Sequence, residues 1–438
     1  MRYHLLTLGC PKNVADSGRL ERLLQEAGHL PASAAKAEMI IVNTCGFIDR
    51  AKEESVNTIL RLAAQKRRGQ SLVVSGCLSQ LSPQELLDEI PEIDHIFGVE
   101  AGERIAALAG EAKREEAEAD SPRRPLPRVS AYLKIGDGCN ARCSFCVIPR
   151  IKGRLRSTPI DALVAEAKRL ADEGARELVL VAQDSTAYGR DLGMRDGLPQ
   201  LLRQLASRVP EVAWLRVMYA YPGHVSRELA ETMASLPQVC HYLDLPLQHS
   251  SPAVLRRMRR PHDEAELRRT LERLRKAMPD IALRTTFLVG FPGETEDEFQ
   301  GLLDFVREAG FDHVGAFPFS PQPGTPAGGM LGQVSERVKR RRYRQLMVTA
   351  KEVSLARNRR WVGRETTVLV ESEREKTHRG GRLFVGRCYR DAPEIDSLVI
   401  CAGQALPGEM RRVRIVRALP YDLLAEPVAA AMASGPES

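Results

Sequence analysis

Nowhere in its 438 residues does the sequence hold the apolar run of roughly 18 residues that a membrane-spanning helix requires. The start also lacks a secretory core of about 7–15 apolar residues, because the apolar stretch there is only Leu5–Leu8. The composition excludes a disordered or collagen-like chain, since 43% of the residues are hydrophobic and 28% are charged. We therefore expect a folded, cytoplasmic protein of about two to four domains that has no membrane partner.

An excess of charge of one sign is absent outside a single segment. Residues 338–360 contain nine Lys/Arg and one Glu, whereas the net charge of the whole chain is only +7. The rest of the chain is therefore nearly neutral. A basic segment of this kind suits contact with nucleic acid or the ribosome. The alternative is a solvated helix face, because apolar residues keep a helical spacing on its other side: Val338, Tyr343, Leu346, Met347 and Ala350.

A disulfide framework is not indicated, because the nine cysteines are an odd number and a cytoplasmic protein keeps them reduced. Metal or redox chemistry is favoured instead. The positions are uneven, since Cys139, Cys143 and Cys146 lie within eight residues. Three further cysteines match no cluster pattern and are expected to be buried or incidental: Cys240, Cys388 and Cys401.

Residues 1–110 alternate short apolar runs with amphipathic segments, which predicts an α/β domain with a parallel sheet. The predicted strands are Tyr3–Leu8, Met39–Asn43 and Leu72–Ser75. Each runs directly into one of the remaining cysteines, which are Cys10, Cys45 and Cys77. Because the carboxyl ends of parallel strands meet at one edge of the sheet, we expect these three thiols to converge.

The rest of the chain predicts three further units. Residues 111–128 form a charged and then proline-rich linker, and residues 129–335 repeat about six strand–helix units. A complete eight-unit barrel typically needs about 250 residues, so we expect a partial (βα)6 barrel with its chemistry on the loops after the strands. A basic connecting helix at 336–360 leads into short strands at 361–427, which indicate a small OB-like β-barrel, and 428–438 is a tail.

The most informative motif is the CxxxCxxC segment of Cys139, Cys143 and Cys146. Three thiolates suit three of the four irons of a 4Fe–4S cluster. A structural zinc site normally has four protein ligands, yet the next cysteine after Cys146 is Cys240. A cluster with one uncovered iron is a reaction site, because that iron can bind a substrate or a cofactor. The motif therefore predicts an iron–sulfur centre that takes part in chemistry.

At this motif, directly after the first strand of the predicted barrel, the sequence resembles the radical S-adenosylmethionine (SAM) superfamily. The resemblance implies that the open iron of the cluster binds SAM and that an electron cleaves SAM to a 5′-deoxyadenosyl radical. It also implies SAM contacts from later strand ends, at Gln183, Asp184, Gln248, Gly290 and Glu294. For Glu294, a structural role in a turn or helix cap is the alternative.

The amino-terminal cysteines Cys10, Cys45 and Cys77 resemble the ligands of the second 4Fe–4S cluster in the methylthiotransferase family. That family adds a CH₃S– group to an unreactive carbon. The resemblance implies that one cluster generates a radical that removes a hydrogen atom, that the other supplies or carries sulfur, and that a second SAM donates the methyl group. An isolated cysteine is most often a buried side chain that only packs in the core. Three cysteines at the ends of three successive strands argue against that alternative.

Residues 361–427 resemble the TRAM barrel of this family. A barrel that reads tRNA should be basic, yet this one has eleven Lys/Arg against ten Asp/Glu. The run 391–396 resembles the TRAM signature of the RimO type within this family. Members of that type modify small-subunit ribosomal protein S-twelve. We expect its carboxylates to dock that basic protein, through Asp391, Glu394 and Asp396. A solvated turn between strands is the alternative.

The resemblance thus implies a methylthiotransferase acting on the β-carbon of an aspartate of that ribosomal protein, either free or in the ribosomal particle. The expected partners are a reductase such as flavodoxin and a sulfur donor, and the expected state is a monomer. One rival keeps the chemistry but modifies tRNA adenosine, as in the MiaB type. The other is a non-enzymatic electron carrier or redox sensor, which should offer four cysteines per cluster, whereas this chain offers three and three.

Overall fold

The amino-terminal domain is a five-stranded parallel sheet in the order β2-β1-β3-β4-β5. Its strands are β1 (Arg2–Thr7), β2 (Leu30–Pro31), β3 (Met39–Thr44), β4 (Ser71–Gly76) and β5 (His95–Ile96). Its helices are α1 (Pro11–Glu26), α2 (Asp49–Ala64), α3 (Cys77–Leu81), α4 (Pro83–Glu89) and α5 (Gly102–Leu108). The central strand β3 is buried along its whole length because helices cover both faces of the sheet, which explains its continuous apolar run.

The computed structural model describes residues 1–108, 129–260, 263–375 and 381–428. The predicted linker 111–128 lies outside these ranges, and so does the predicted tail after residue 428. Within the described ranges, no helix is both long and apolar enough to cross a membrane.

The central domain confirms the predicted partial barrel. Six parallel strands lie side by side in the order β13-β12-β11-β10-β9-β6, so each strand pairs with the next large strand along the chain. They are β6 (Ser130–Lys134), β9 (Glu177–Val181), β10 (Trp214–Val217), β11 (Val239–Asp244), β12 (Ala282–Val289) and β13 (His313–Pro318). Between β6 and β9, the short strands β7 (Gly136–Asp137) and β8 (Arg156–Ser157) pair antiparallel.

Helices cover the outside of the barrel and bury a continuous aliphatic core against the strands. They are α6 (Ile148–Lys152), α7 (Ile160–Asp172), α8 (Gly197–Arg208), α9 (Arg227–Ser235), α10 (Pro252–Arg257), α11 (Glu264–Ala277) and α12 (Glu296–Ala309). This βα alternation places the loops that follow the strands at one end of the barrel, which is where the chemistry of such barrels occurs.

The basic segment is one long helix, α13 (Glu336–Arg359). Leu346 and Ala350 are buried on its apolar side, and Leu346 joins the core of the barrel. Arg337, Arg340 and Arg344 are exposed on the other side. An apolar packing face and an exposed basic face therefore coexist on one helix.

The carboxyl-terminal domain is a closed five-stranded barrel in the order β14-β15-β16-β18-β17. Its strands are β14 (Glu365–Glu375), β15 (Arg382–Cys388), β16 (Val399–Ala402), β17 (Met410–Ala418) and β18 (Leu423–Pro427). The sequence predicted the first four. It missed β18, which pairs parallel with β16 and antiparallel with β17 and thereby closes the barrel.

Polar contacts fix the amino-terminal domain over the open end of the central barrel. Asp16 of α1 accepts hydrogen bonds from Lys134 and, at 3.0 Å, from Lys152. On the other side, Gln322 donates to Asp49 of α2 at 2.9 Å. The cysteines that follow the amino-terminal strands therefore face the loops of the barrel.

Candidate active site

The CxxxCxxC segment forms the loop between β7 and α6. Gly138 begins it with a φ of +71°, and a Cβ there would lie only 2.0 Å from the carbonyl oxygen of Arg154. Glycine is therefore required at the position that turns the chain into the loop. The amide of Cys139 then donates to the carbonyl of Gly153 at 3.1 Å, and the amide of Ser144 donates to the carbonyl of Met258 at 3.0 Å.

Hydrogen-bond donors point at the sulfur atoms of this loop. The amide of Ala141 lies 3.4 Å from Cys139 Sγ, and the amide of Ile148 lies 3.5 Å from Cys146 Sγ. The Arg260 guanidinium lies 3.8 Å from Cys143 Sγ. Donors of this kind stabilise anionic sulfur, so the loop fits thiolates that ligate iron.

Burial opposes the charged form of the same thiols. It raises the pKa of Cys139, and it raises the pKa of Cys146 to about 12, although the amide donors act in the opposite direction. Among the described residues, no three His, Cys, Asp or Glu side chains converge closely enough to hold a single metal ion. Three thiol donors suit three irons of a four-iron cluster, whereas a structural zinc site normally has four protein ligands, so the donor set fits the cluster better.

The three amino-terminal cysteines meet at one edge of the first sheet. Cys10 follows β1, Cys45 follows β3, and Cys77 is the first residue of α3 after β4. Gly9 has a φ of +92°, and a Cβ on it would lie 2.8 Å from Cys45 Sγ. The close approach of the first two loops therefore depends on this glycine.

Asn13 ties the three loops together. Its Nδ2 donates to the carbonyls of Leu8 at 2.8 Å and Thr44 at 3.0 Å, and its Oδ1 lies 3.8 Å from Cys77 Sγ. Burial raises the pKa of Cys77 to about 12, although the charge of Lys152 acts to lower it. The structure thus brings the predicted cysteines together as expected, while their role as cluster ligands stays a prediction.

The two cysteine sites are neighbours across the domain boundary. Cys77 packs against Val147 and Ile151, and Val147 directly follows Cys146. The segment after β10 lies between the sites as well: the Tyr219 ring contacts Lys12, and the Tyr221 ring contacts the Arg260 guanidinium that reaches Cys143. One segment of the central barrel therefore contacts residues beside both sites.

The sequence analysis missed this second layer of residues, which includes Lys12, Tyr219 and Arg260. Burial acts to lower the pKa of Lys12, but the nearby charges of Cys10, Tyr219 and Asp244 outweigh it and raise that pKa above its ordinary value. The position of Lys12 two residues after Cys10 was a signal for its placement. No sequence signal pairs Tyr219 with it, because that contact crosses two domains.

Two of the predicted SAM contacts, Asp184 and Glu294, have side chains that hold loops. Asp184 accepts hydrogen bonds from Thr186 at 2.6 Å and from His224 at 2.8 Å. Glu294 is buried, accepts from the amide of Phe291 at 2.9 Å and pairs with Arg342 at 3.2 Å. These contacts agree with the turn role that the sequence left open for Glu294.

The other predicted SAM contacts have different surroundings. Gln183 donates to Asp137 at 2.9 Å, and its buried Oε1 accepts no hydrogen bond from the described residues, so it has capacity left for a ligand. Gln248 has a φ of +72°, which is uncommon for a residue other than glycine and is typical of functional sites. Gly290 allows a close approach, but the neighbour is Lys339 of α13, whose Cγ would lie 2.3 Å from an added Cβ.

The predicted docking carboxylates occupy two different environments. Asp391 is buried and lies 3.3 Å from His313 Nε2. The Asp396 side chain is only 2% exposed and accepts from Arg284 at 3.1 Å. They therefore join the TRAM-like barrel to the central barrel and are not accessible to a partner. Glu394 is exposed and accepts from the Tyr132 hydroxyl at 3.3 Å. The docking prediction fits Glu394 alone.

Models of three families match consecutive parts of this chain. The Radical SAM superfamily matches residues 133–306, and the TRAM domain matches residues 362–428. Uncharacterized protein family UPF0004 matches residues 2–98, which contain the three amino-terminal cysteines.

Similar curated proteins extend over nearly the whole chain. One is the "Ribosomal protein uS12 methylthiotransferase RimO" of Chloroflexus aurantiacus, with 46% identity over 97% of this chain and 99% of that protein. The protein of the same name from Geobacter sulfurreducens is 45% identical over 96% of this chain and 97% of its own length.

Solved structures resemble the fold at low sequence identity. The radical S-adenosylmethionine methyltransferase TsrM from Kitasatospora setae, with cobalamin and a [4Fe-4S] cluster bound, has a TM-score of 0.55 at 16% identity, over 75% of this chain and 77% of that chain. The cobalamin-dependent radical enzyme OxsB has a TM-score of 0.51 at 12% identity, over 80% of this chain and 56% of that chain.

Proposed function

Because this chain belongs to the RimO family of radical SAM methylthiotransferases, we propose that it attaches a methylthio group to the β-carbon of an aspartate in ribosomal protein uS12. Family membership makes it an enzyme that uses 4Fe–4S clusters and SAM. The substrate proposal rests on one observation, which is the match over 97% of the chain to relatives that bear this substrate in their name.

The two cysteine sites would hold the two clusters. Cys139, Cys143 and Cys146 are proposed to ligate the cluster that binds SAM, and Cys10, Cys45 and Cys77 are proposed to ligate the other. When bound, these groups supply a radical that removes a hydrogen atom from an unreactive carbon, and a carrier for the sulfur that replaces it. The fit rests on three neighbouring thiols in each site and on amide donors aimed at the sulfurs of the first.

The other residues of the chain position these groups and limit the access of water. Val147 and Ile151 pack against Cys77, so an apolar contact closes the boundary between the two sites. Gln183 presents a free Oε1 as a candidate acceptor for the SAM ammonium group. Hydrogen-atom transfer needs no side-chain acid or base, and we assign none.

The proposal includes partners that the reaction requires. A reductase such as flavodoxin would supply electrons, and a sulfur donor would replace the sulfur that leaves in each product. We place the protein in the cytoplasm as a monomer, where ribosomal protein uS12 is made and assembled.

Deleting the gene tests the substrate. We expect uS12 from the deletion strain to lose one methylthio group in intact-mass measurements, while tRNA nucleosides remain unchanged. Loss of a methylthio group from tRNA adenosine, with uS12 unchanged, would favour the MiaB-type rival. The nearly neutral TRAM barrel supports the protein substrate, since a tRNA reader depends on phosphate neutralisation.

Contact with the ribosomal particle is proposed to involve α13, where Arg337, Arg340 and Arg344 are exposed. None of the three has an ion-pair partner among the described residues, so their charge is free for RNA phosphates. This surface adds a second contact to Glu394, the docking carboxylate that is exposed.

Changing these three arginines to glutamine should weaken binding to small ribosomal subunits. The slope of log affinity against log salt should fall by about two to three, because each phosphate contact contributes roughly 0.7–0.9 to it. The matched control changes Arg411, Arg412 and Arg414 to glutamine, which removes the same amount of charge. These arginines already pair with Glu409 and Glu365. Equal slopes for both triple variants would contradict a specific role for α13.

A further inference from the structure

An ammonium group lies between the two cysteine sites. Lys12 is in the first turn of α1, two residues after Cys10, and its Nζ lies 3.7 Å from the centroid of the Tyr219 ring. Within the described part of the chain, no carboxylate oxygen lies within 4.0 Å of this Nζ. The charge is therefore held by an aromatic face, and none of the described residues forms an ion pair with it.

Tyr219 adopts an uncommon backbone conformation to make this contact. Its φ is +60°, in the left-handed region that residues other than glycine rarely occupy. The amide of Tyr219 donates to Asp244 Oδ2 at 3.3 Å, and the amide of Ala220 donates to the Asp244 carbonyl at 2.8 Å. The turn is thus fixed by the end of β11, and such strain is typical of functional sites.

The Asp244 carboxylate, which holds the Tyr219 turn, already has its own ion-pair partner. Asp244 is fully buried, and its Oδ1 accepts from Arg284 at 3.0 Å while its Oδ2 accepts from the Tyr219 amide. Arg284 also donates to Asp396 at 3.1 Å, and both Asp244 carboxylate oxygens have hydrogen-bond partners other than Lys12. The Lys12 ammonium remains available to a ligand of opposite charge.

We propose that Lys12 binds the side-chain carboxylate of the substrate aspartate and thereby selects a carboxylate substrate. This inference rests on the proposed function. A carboxylate at Lys12 would lie beside Cys10 and over the segment that leads from Tyr219 to Tyr221, whose ring contacts Arg260 at 4.4 Å. The carbon next to that carboxylate would then lie between the two cysteine sites. A neutral nucleobase would lack the negative charge that pairs with the ammonium.

Peptide binding to the anaerobically reconstituted holoenzyme tests the inference. Two labelled peptides carry the target segment of uS12, one with aspartate and one with asparagine at the target position. We expect the wild type to bind the aspartate peptide roughly tenfold more tightly, because a charge-assisted hydrogen bond is lost with asparagine. In Lys12→Met this ratio should fall to about one, and Lys12→Arg should keep part of it.

The matched control is Lys36→Met, which removes the same charge from an exposed position before β3 and should leave the ratio unchanged. If Lys12→Met and Lys12→Arg both keep the wild-type ratio while the wild type methylthiolates the aspartate peptide, this inference is wrong and the proposed function stands. If the wild type neither binds nor modifies that peptide, both fail. Loss of iron in Lys12→Met would assign the lysine to the Cys10 site and overturn the inference.

Discussion

Replacing Cys143 with alanine is expected to abolish SAM cleavage and to halve the iron content of the reconstituted protein. Two 4Fe–4S clusters contain about eight irons per chain. When one of the three thiolates of a site is removed, the two that remain are too few to hold that cluster of about four irons. Arg260 would also lose the sulfur that it faces at 3.8 Å. The measurements are 5′-deoxyadenosine formation under anaerobic, reducing conditions and the quantitation of iron and sulfide.

Replacing a cysteine of the amino-terminal site should affect only the cluster of that site. Cys45→Ala is expected to lose the other about four irons and to stop methylthio transfer while SAM is still cleaved, because the ligands of the two sites come from different domains. Cys401→Ala is the matched control, since this thiol is buried in the core of the TRAM barrel and lies in neither site. It should retain all of the iron.

Persistent 5′-deoxyadenosine formation by Cys143→Ala would contradict the assignment of the radical site. Four irons in the wild type, unchanged in Cys45→Ala, would contradict the second cluster. If the Cys401→Ala control lost iron as well, the assumption of three ligands per site would fail.

Local sequence patterns were sufficient to predict the three-part fold and the position of the amino-terminal cysteines at one edge of the first sheet. The runs that end in Cys10, Cys45 and Cys77 are the adjacent strands β1, β3 and β4, whose carboxyl ends share one edge. Each of these inferences depends on a rule that acts within one sheet. Apolar runs identify strands, and parallel pairing then fixes which ends meet.

The local sequence patterns did not predict the contacts between domains. The short segment Leu423–Pro427 is a strand only because β16 and β17 offer it free edges. The acidic run 391–396 suggested an exposed docking loop, yet Asp391 and Asp396 bind His313 and Arg284 of the central barrel. The sign of a side chain's charge does not show whether its ion-pair partner belongs to the same chain or to another protein. The packing of the domains determines which of the two it is.

A buried ion-paired group joins the central barrel to the TRAM barrel. Glu177 at the start of β9 accepts from Arg216 at 2.6 Å and from Arg387 of β15 at 2.5 Å, and Ser130 donates to it at 2.7 Å. All three charged side chains are almost fully buried. Burial acts to raise the pKa of Glu177, but the charges of Arg387 and Arg216 outweigh it and lower that pKa to about 2.

The pH dependence of stability follows from this lowered pKa. An unfolded glutamate titrates near pH 4.3, so the contribution of Glu177 is complete above about pH 5 and is lost as the pH falls towards about 2. The wild type should therefore lose stability in acid more steeply than Glu177→Gln, in which the titrating group is absent. The comparison is the free energy of unfolding of both proteins between about pH 6 and pH 3.

At neutral pH, Glu177→Gln should lower the free energy of unfolding by about 3–5 kcal/mol, because it leaves the buried Arg216 guanidinium without an ion-pair partner among the described residues and leaves Arg387 paired with Glu371 alone. Since Arg387 belongs to the TRAM barrel, we also expect faster proteolysis between the two barrels. Glu308→Gln is the matched control: its pair with Arg268 lies at the surface, so it should cost less than about 1 kcal/mol. Equal losses in the two variants would show that burial adds nothing to the Glu177 pairs. Restored stability in a variant with Glu177, Arg216 and Arg387 all replaced by apolar residues would show that the group specifies domain docking more than it stabilises the fold.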